Sequence, residues 1–389
     1  SRERLESDAA ELREFYRNNG YLDAQVGRRI ELSADQKTAR VTFVIAEGRQ
    51  FTVNVIRVEG NQVMSAAQIQ DALLLQAGDV FAADKQRRSV EAILRIYGKI
   101  GYLDTRVAID RLLPFEEGET RVDMVVRIVE GTHVSVGRII VTGNQVTQDK
   151  LIYRQIRGLE PGRRFDREGI RRTEQRLRES NLFSDANIAV LGEPGDPFRD
   201  VLIEVTEQST GRLSFGAGIS SDAGVVGAID LSQANFDITD WPESFDEFFT
   251  GQAFKGAGQY FALTIQPGNE FSRYAVSFRE PAFLETDFYF DVSLFFWTRA
   301  RTDYDEQRMG GSFGIGHRLG DEWFFTLRAR AEQIDIDGIV ASAPVDVFAV
   351  QGSSLLTSLT FAIGRNRTDS RIFPTSGSNS ERSVTRTGA

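Results

Sequence analysis

The chain has 389 residues, 46 Lys and Arg against 56 Asp and Glu, a formal net charge of −10, no cysteine and two histidines. That length predicts two to four domains, and the absence of cysteine excludes disulfides and thiolate metal sites. His133 and His317 lie far apart without ligand-spaced partners, no basic stripe exists for a nucleic acid, and no run of eighteen apolar residues exists for a membrane-spanning helix.

Charge divides the chain. Residues 1–208 hold 31 Lys and Arg against 33 Asp and Glu, whereas the remaining residues hold 15 against 23. The acids of the second part cluster at Asp237–Glu247 and Asp303–Glu306, in predicted turns. The basic runs Lys85–Arg88 and Arg163–Arg178 are interspersed with acids and read as solvated helix faces. The opening SRERLESDAAELREF has no leader-like composition and falls inside a repeat, so the chain is expected to be part of a longer one.

Self-comparison organises the first half. FYRNNGYLDAQV (Phe15–Val26) recurs as IYGKIGYLDTRV (Ile96–Val107) and, worn, as LRESNLFSDANI (Leu177–Ile188), so that Tyr21, Tyr102 and Phe183 recur at a constant spacing. VEGNQ (Val58–Gln62) returns as VTGNQ (Val141–Gln145), and the closing VIAEG (Val44–Gly48) returns as RIVEG (Arg127–Gly131) and EVTE (Glu204–Glu207). One unit reads as a strand over Phe51–Glu59, a helix from Ser65 as N-cap to Gln76, a helix over Ala83–Gly98, and strands over Thr105–Asp110 and Val122–Val129. The order is β-α-α-β-β. In the last unit a turn falls at Leu159–Gly162 and a helix at Asp166–Ser180. The predicted domains are 1–49 (half a repeat), 50–131, 132–208, and a strand-rich region over 209–389. The Gly-Tyr marker reads as a helix stop followed by a core aromatic at Tyr21, Tyr102 and Phe183, an architectural signature and not a site.

The stretch Val201–Ile219 joins the halves. Val201–Val205 closes the last repeat, and Arg212–Ser220 sets Leu213, Phe215, Ala217 and Ile219 on one face, with Arg212, Ser214, Gly216, Gly218 and Ser220 on the other. Alternation continues through Val225–Leu231, Gly258–Gln266, Ser272–Phe283, Thr286–Thr298, Met309–Gly316, Trp323–Glu332 and Leu355–Gly364. Arg328, Arg330 and Glu332 share one face of a single strand, an arrangement costly in a dry sandwich core but comfortable in a wet lumen. Tyr260, Tyr289, Trp297 and Trp323 near strand ends are expected to form an interfacial belt. The segment Asp237–Gly256, containing DWPESFDEFF, predicts a short amphipathic helix at the rim, and Asp335–Ser353 a long outer loop.

Repeats of this plan feeding directly into alternating strands resemble the BamA superfamily, whose repeats are called POTRA domains. The resemblance is carried by VEGNQ, VTGNQ, GLEPGRRFDREGIRRTEQRLRESNLF (Gly158–Phe183), GRLSFGAGISSDAG (Gly211–Gly224) and NRTDSRIFPTSGS (Asn366–Ser378), and covers essentially the whole chain. It implies α+β POTRA repeats followed by an antiparallel transmembrane β-barrel, of which about the first eight of sixteen strands are present. The family's inward-folded loop with its Val-Arg-Gly-Phe motif has no counterpart here. The implied role is folding and inserting β-barrel proteins at the bacterial outer membrane, with POTRA domains in the periplasm, unfolded outer-membrane clients, accessory periplasmic lipoproteins and the lipid bilayer as partners, and no enzymatic step or cofactor. A two-partner-secretion or TamA-like polypeptide transporter is the alternative. Strand addition is expected at the POTRA edges Phe51, Val53, Val55, Val134, Val136 and Ile139. A weak lateral seam is expected along Arg212, Leu213, Ser214, Phe215, Gly216, Ala217, Gly218, Ile219 and Ser220. The glycines Gly211, Gly216 and Gly218 either weaken that strand or make room for lumen side chains. An acidic pair at Glu116–Glu117 falls in a turn with nothing convergent nearby.

Overall fold

A computed structural model describes residues 2–33, 38–113, 118–221, 223–250, 253–370 and 374–388. The pair Glu116–Glu117 and part of the Asn366–Ser378 turn lie outside the described residues. The chain divides into two compact units, one of Ser1–Ile140, Ile156–Thr173 and Ile188–Leu202, the other of Val141–Gln155, Glu174–Asn187 and Ile203–Ala389.

The first unit opens with helix α1 (Arg2–Asn18) and the antiparallel hairpin β1 (Gln25–Leu32) and β2 (Ala39–Ala46). The next repeat consists of β3 (Thr52–Glu59), α2 (Ala66–Ala72), α3 (Ala83–Lys99), β4 (Arg106–Leu112) and β5 (Arg121–Val129). Its sheet runs β3-β5-β4, with β3 parallel and β4 antiparallel to the central β5. Helix α2 starts where Ser65 Oγ accepts Gln68 N–H and Gln68 Oε1 accepts Ser65 N–H, a reciprocal cap. Helix α3 buries Ser89, Ile93 and Tyr97 at four-residue spacing against the sheet. These join Phe51, Val53, Ile69, Leu75, Phe81, Val122, Met124 and Val126 in the core, each large apolar side chain contributing roughly 1.5–3 kcal/mol by leaving water.

The final repeat follows the same plan with β6 (Ser135–Thr142), α4 (Asp149–Tyr153), α5 (Arg167–Glu179), β7 (Phe183–Leu191) and β8 (Phe198–Glu207), in the sheet order β6-β8-β7.

The repeat markers have one physical explanation. Gly60 sits at φ +83°, and a Cβ there would meet the Ile128 carbonyl oxygen at 2.1 Å; Gly143, at φ +92°, meets Val205 O at 1.9 Å. Only glycine lets the turn cross its neighbouring strand so closely. The following asparagines clamp the turn, Asn61 Nδ2 donating to Met64 O and Asn144 Nδ2 to Thr147 O. The closing glutamate then caps it. Glu130 Oε1 accepts Gln62 N–H at 2.8 Å, Val63 N–H at 2.9 Å and Tyr97 O–H at 2.7 Å, and Glu207 takes the equivalent place beneath Val146 and Thr147. The Gly-Tyr marker is a left-handed helix stop at Gly20 (φ +90°) and Gly101 (φ +91°). In the worn copy the left-handed residue is Asn181 (φ 58°), one position earlier, where asparagine tolerates it. Of the three aromatics only Phe183 is fully buried; Tyr21 and Tyr102 are half-buried and meet Tyr16 and Tyr97 edge to face.

In the second unit the strands are β9 (Gly211–Ser220), β10 (Gly224–Phe236), β11 (Gln259–Gln266), β12 (Phe271–Glu280), β13 (Phe288–Ala300), β14 (Asp305–Leu319), β15 (Trp323–Asp337), β16 (Gly352–Asn366) and β17 (Asn379–Gly388). Short helices α6 (Phe245–Thr250) and α7 (Val345–Ala349) occupy two connections. Each strand pairs antiparallel with its sequence neighbours in one nine-stranded open sheet from β9 to β17. No helix among the described residues is long and apolar enough to cross a membrane.

Register confirms the two faces. Leu213, Ile229, Leu263, Val276, Leu294, Phe313, Leu327 and Leu359 stand on one. The other carries Arg328 paired with Asp291 at 2.9 Å, Arg308 held by Glu306 at 2.6 Å, and Arg330 cation–π stacked on Phe295. Glu306 and Glu332 are buried there, satisfied by these arginines. The expected aromatic belt is corrected by the same register. Tyr260 pairs with Arg279 on the charged face, Tyr289 O–H meets Thr326 Oγ1 at 2.6 Å, and Trp297 stacks under Arg308, leaving only Trp323 on the apolar face.

The Glu130 cap makes the complete repeat pH-sensitive. Partial burial raises the Glu130 carboxyl, but the Val63, Tyr97 and Gln62 donors outweigh it and hold the group below its ordinary 4.5. A depressed folded value means that its stabilisation is full above that pH and lost as pH falls through the folded value. Urea midpoints should therefore fall on acidification below about 4.5, and Glu130→Gln should flatten that part of the profile. An unchanged slope in Glu130→Gln would contradict the cap.

Candidate functional site

Strand β9 is the first strand of the sheet and pairs with β10 over ten residues, from Gly211↔Gln233 to Ser220↔Gly224. Its other edge meets no strand among the described residues, and all ten residues are exposed. Leu213, Phe215 and Ile219 are 56, 73 and 85% exposed on the apolar side. A Cβ at Gly218 would meet nothing, and one at Gly216 only Ala228 at an ordinary 3.7 Å, so neither glycine makes room for a neighbour among the described residues. The glycines at which a side chain is accommodated lie further along the sheet. Gly316 and Gly364 face the rings of Tyr289 and Phe324, which a Cβ would strike at 2.2 and 2.3 Å. What Gly216 and Gly218 do to β9 is remove side-chain packing from the strand.

The repeat edges are more closed than the sequence suggests. Phe51 N–H donates to Gly20 O and Phe51 O accepts Phe81 N–H, while Val53 pairs with Asp79 O and Gly78 N–H. In the last repeat Val134 O accepts Phe165 N–H, and Val136 pairs with Arg163 O and Gly162 N–H. The four side chains are 2, 2, 0 and 1% exposed. Phe51, Val53, Val134 and Val136 are therefore not strand-addition positions, because the preceding repeat, through Gly20 and Gly101, and a returning segment of the same repeat already use their backbone. Of the expected edge residues only Val55, 41% exposed at a register shift, and the half-buried Ile139 remain.

The sequence carried a signal for this in Leu75-x-x-Gly78-x-x-Phe81 and Leu159-x-x-Gly162-x-x-Phe165. Leu75, Phe81, Leu159 and Phe165 are fully buried, and Gly78 and Gly162 turn left-handed between them. Sequence reasoning also missed the opposite edges, β4 and β7, whose outer sides meet no strand among the described residues. Single carbonyls there accept side chains, Ile109 O from Gln86 Nε2 and Ala186 O from Arg178 Nη2.

Within the second unit, α4 and the end of α5 meet four connections at one end of the sheet. Gln148 N–H donates to Gly256 O and its Nε2 to Asp237 Oδ2, while Asn235 Nδ2 donates to the buried Thr147 Oγ1 at 2.9 Å. Leu151 packs so closely that a Cβ at Gly258 would meet it at 2.8 Å. Arg154 Nε (2.9 Å) and Lys150 Nζ (3.3 Å) bind Glu285, and Arg176 Nη1 binds Asp321 at 3.0 Å. Gln175 Nε2 reaches Asp369 O, and Ser370 Oγ donates to Glu179. Hydrogen bonding from Arg154 holds the Glu285 carboxyl below its ordinary value, against partial burial. Leu284 and Glu285 are consecutive non-glycine residues at φ 52° and 60°, a conformation that costs of order 1–3 kcal/mol each and persists only when its surroundings fix it. Asp369, held low by Thr375 O–H and the N–H groups of Ser376, Thr375 and Ser370, orders the last of these turns.

Residues 1–48, 51–131 and 134–208 match the surface antigen variable number repeat, POTRA, over more than half of the chain, and residues 254–389 match the Omp85 superfamily domain. The chain belongs to the POTRA-bearing Omp85 superfamily. BamA from Nitratidesulfovibrio vulgaris is 24% identical over 381 residues, covering 96% of this chain and 45% of that one. BamA from Buchnera aphidicola is 27% identical over 233 residues, covering 59% and 37%. The matches thus span less than half the length of these curated relatives. The crystal structure of BamA from Haemophilus ducreyi lacking POTRA domains 1–3 shares the fold, with a TM-score of 0.63 at 19% identity over 87% of this chain and 64% of that one.

The Omp85 chain is an outer-membrane protein with its POTRA repeats in the periplasm. The apolar face of its nine-stranded sheet has the composition a lipid-facing wall needs, and the end met by α4 and α5 is the periplasmic end. The Arg154–Glu285 pair is partly exposed, so its coupling is modest, about 0.5–1 kcal/mol. A double-mutant cycle of Arg154→Ala and Glu285→Gln, followed by urea unfolding in micelles, should return that non-additivity. Strict additivity would show that the strained turn holds its shape without Arg154.

Proposed function

We propose that the full-length protein folds and inserts β-barrel proteins into the outer membrane. The observation that carries this reading is the glycine-thinned β9, the first strand after the POTRA repeats, whose outer edge would pair with the strand that closes the barrel. Such an edge offers unpaired N–H and C=O groups as a template for an incoming strand. In the whole protein β9–β17 form part of a closed barrel of about sixteen strands, since bare edges in hydrocarbon leave unsatisfied backbone. The seam at β9 is then the weak joint, and it opens sideways into lipid. Periplasmic capture of unfolded clients falls to the repeat edges that remain free, β4, β7 and the segment around Val55 and Ile139. Periplasmic accessory lipoproteins are the natural partners of such an array. No step in this scheme makes or breaks a covalent bond. The curated relatives named outer membrane protein assembly factor support the reading.

The test is depletion of the full-length protein in its host, with quantitation of the outer-membrane proteome. A broad loss of barrel proteins is expected. Loss of one secreted partner with barrels intact would replace assembly by two-partner or TamA-like transport.

A further inference from the structure

The connection between β10 and β11 is the longest at the periplasmic end, and it leaves apolar side chains in the open. Ile238, Trp241 and Phe245 are 48, 70 and 87% exposed. The segment nonetheless holds its own shape. Asp237 N–H donates to Phe254 O, Phe254 N–H to Asp240 O, Lys255 N–H to Asp240 Oδ2 and Glu243 N–H to Glu247 Oε2. Asp240 and Glu247 are thus engaged within the turn, while Ile238, Trp241 and Phe245 stay exposed.

The direction of those aromatics is set by the sheet. A register shift between Gln233 and Phe236 accompanies the placement of Phe236 against Phe261 (5.0 Å) and Phe278 (6.2 Å). Phe278 continues to Phe290 at 5.9 Å, and Phe261, Phe278 and Phe290 all stand on the lipid-facing side by register. Phe254 stacks on Phe236 at 5.6 Å, and Trp241 meets Phe254 edge-on at 5.2 Å. Phe254 does so from φ +57°, an uncommon conformation for a bulky residue, fixed by the hydrogen bonds just named. One aromatic ladder therefore runs from the lipid-facing wall into the exposed segment. Gln148 N–H on Gly256 O marks this as the POTRA end.

We propose that Ile238, Trp241 and Phe245 form an interfacial anchor seated in the periplasmic leaflet of the outer membrane, with the Trp241 indole at headgroup level. Continuity with the lipid-facing wall selects lipid over a protein partner as the occupant. Amphipathic segments of this kind bury their apolar face at the boundary between headgroups and acyl chains, and tryptophan favours that depth. The anchor would fix the height of the β10–β11 end of the sheet in the bilayer, next to the α4 contacts. The proposal rests on the apolar face of the sheet being in lipid, and the experiment separates the two.

These 389 residues hold three tryptophans, so Trp297→Phe with Trp323→Phe, together with Phe at any tryptophan elsewhere in the full-length protein, leaves Trp241 as sole reporter. Reconstitution into phosphatidylcholine vesicles brominated at shallow or deep acyl positions then reads its depth. Trp241 emission should be blue-shifted from that of a hydrated indole and lose most of its intensity to shallow bromines, with less loss to deep ones. A tryptophan-free protein carrying Leu263→Trp, mid-wall on the apolar face, should be quenched by deep bromines, and a Trp297-only protein by neither. Unquenched, hydrated Trp241 beside a quenched Leu263→Trp reporter would overturn the anchor alone and leave the segment to a periplasmic partner. An unquenched Leu263→Trp reporter would overturn the lipid-facing wall and the anchor with it.

Discussion

An unpaired backbone N–H or C=O costs several kcal/mol in hydrocarbon, so a strand that enters a membrane must have partners on both sides or a mechanism that tolerates their loss. Strand β9 is where that constraint bears hardest on this molecule. Its ten-residue register with β10 is complete, all ten residues are exposed, and a Cβ at Gly218 would meet nothing while one at Gly216 would meet only Ala228. Strands deeper in the sheet are tied differently. β13, β14 and β15 are cross-braced by Asp291–Arg328, Arg308–Glu332 and Tyr289–Thr326 across the polar face. β9 and β17, the two edge strands of the described sheet, are both fully exposed, so what sets β9 apart is its glycines.

The repeats obey the same rule in water, where open edges invite unwanted pairing. Each covers the start of its first strand with its own Leu-x-x-Gly-x-x-Phe segment, and each seals its glycine-asparagine turn with the closing glutamate. Among the described residues, what remains open is β4, β7, the far ends of β3 and β6, and the outer sides of the β1–β2 hairpin. The contacts of α4 and α5 with successive periplasmic turns, centred on Thr147–Asn235, Arg154–Glu285 and Arg176–Asp321, give the second unit a fixed periplasmic end.

Much of this was legible in the sequence because it rests on periodicity. The constant spacing of Tyr21, Tyr102 and Phe183 revealed the repeats, and strict alternation revealed the sheet and the face of Arg328, Arg330 and Glu332. Edge occupancy was not legible, since Gly78–Phe81 and Gly162–Phe165 look like ordinary turns until their backbone bonds to Val53 and Val136 are seen. The aromatic belt failed for a related reason. Position near a strand end says nothing about face, and register sends Tyr289 and Trp297 inward to Thr326 and Arg308. The segment Asp237–Gly256 read as holding a short amphipathic helix at the rim, and α6 lies there, but the tie of Trp241 to the apolar wall through Phe254 depends on a left-handed residue and a bulge.

The most direct test of the account is site-specific disulfide trapping at β9. These 389 residues hold no cysteine, so single substitutions from Leu213 to Ile219, made in a full-length protein cleared of any cysteine elsewhere, report without background. Paired with cysteines along the terminal strand of a barrel client during its assembly, they should trap mixed disulfides in one antiparallel or parallel register, while the same substitutions in β13 trap none. Equal trapping at both strands, or trapping at neither while assembly proceeds, would contradict a templating role for β9.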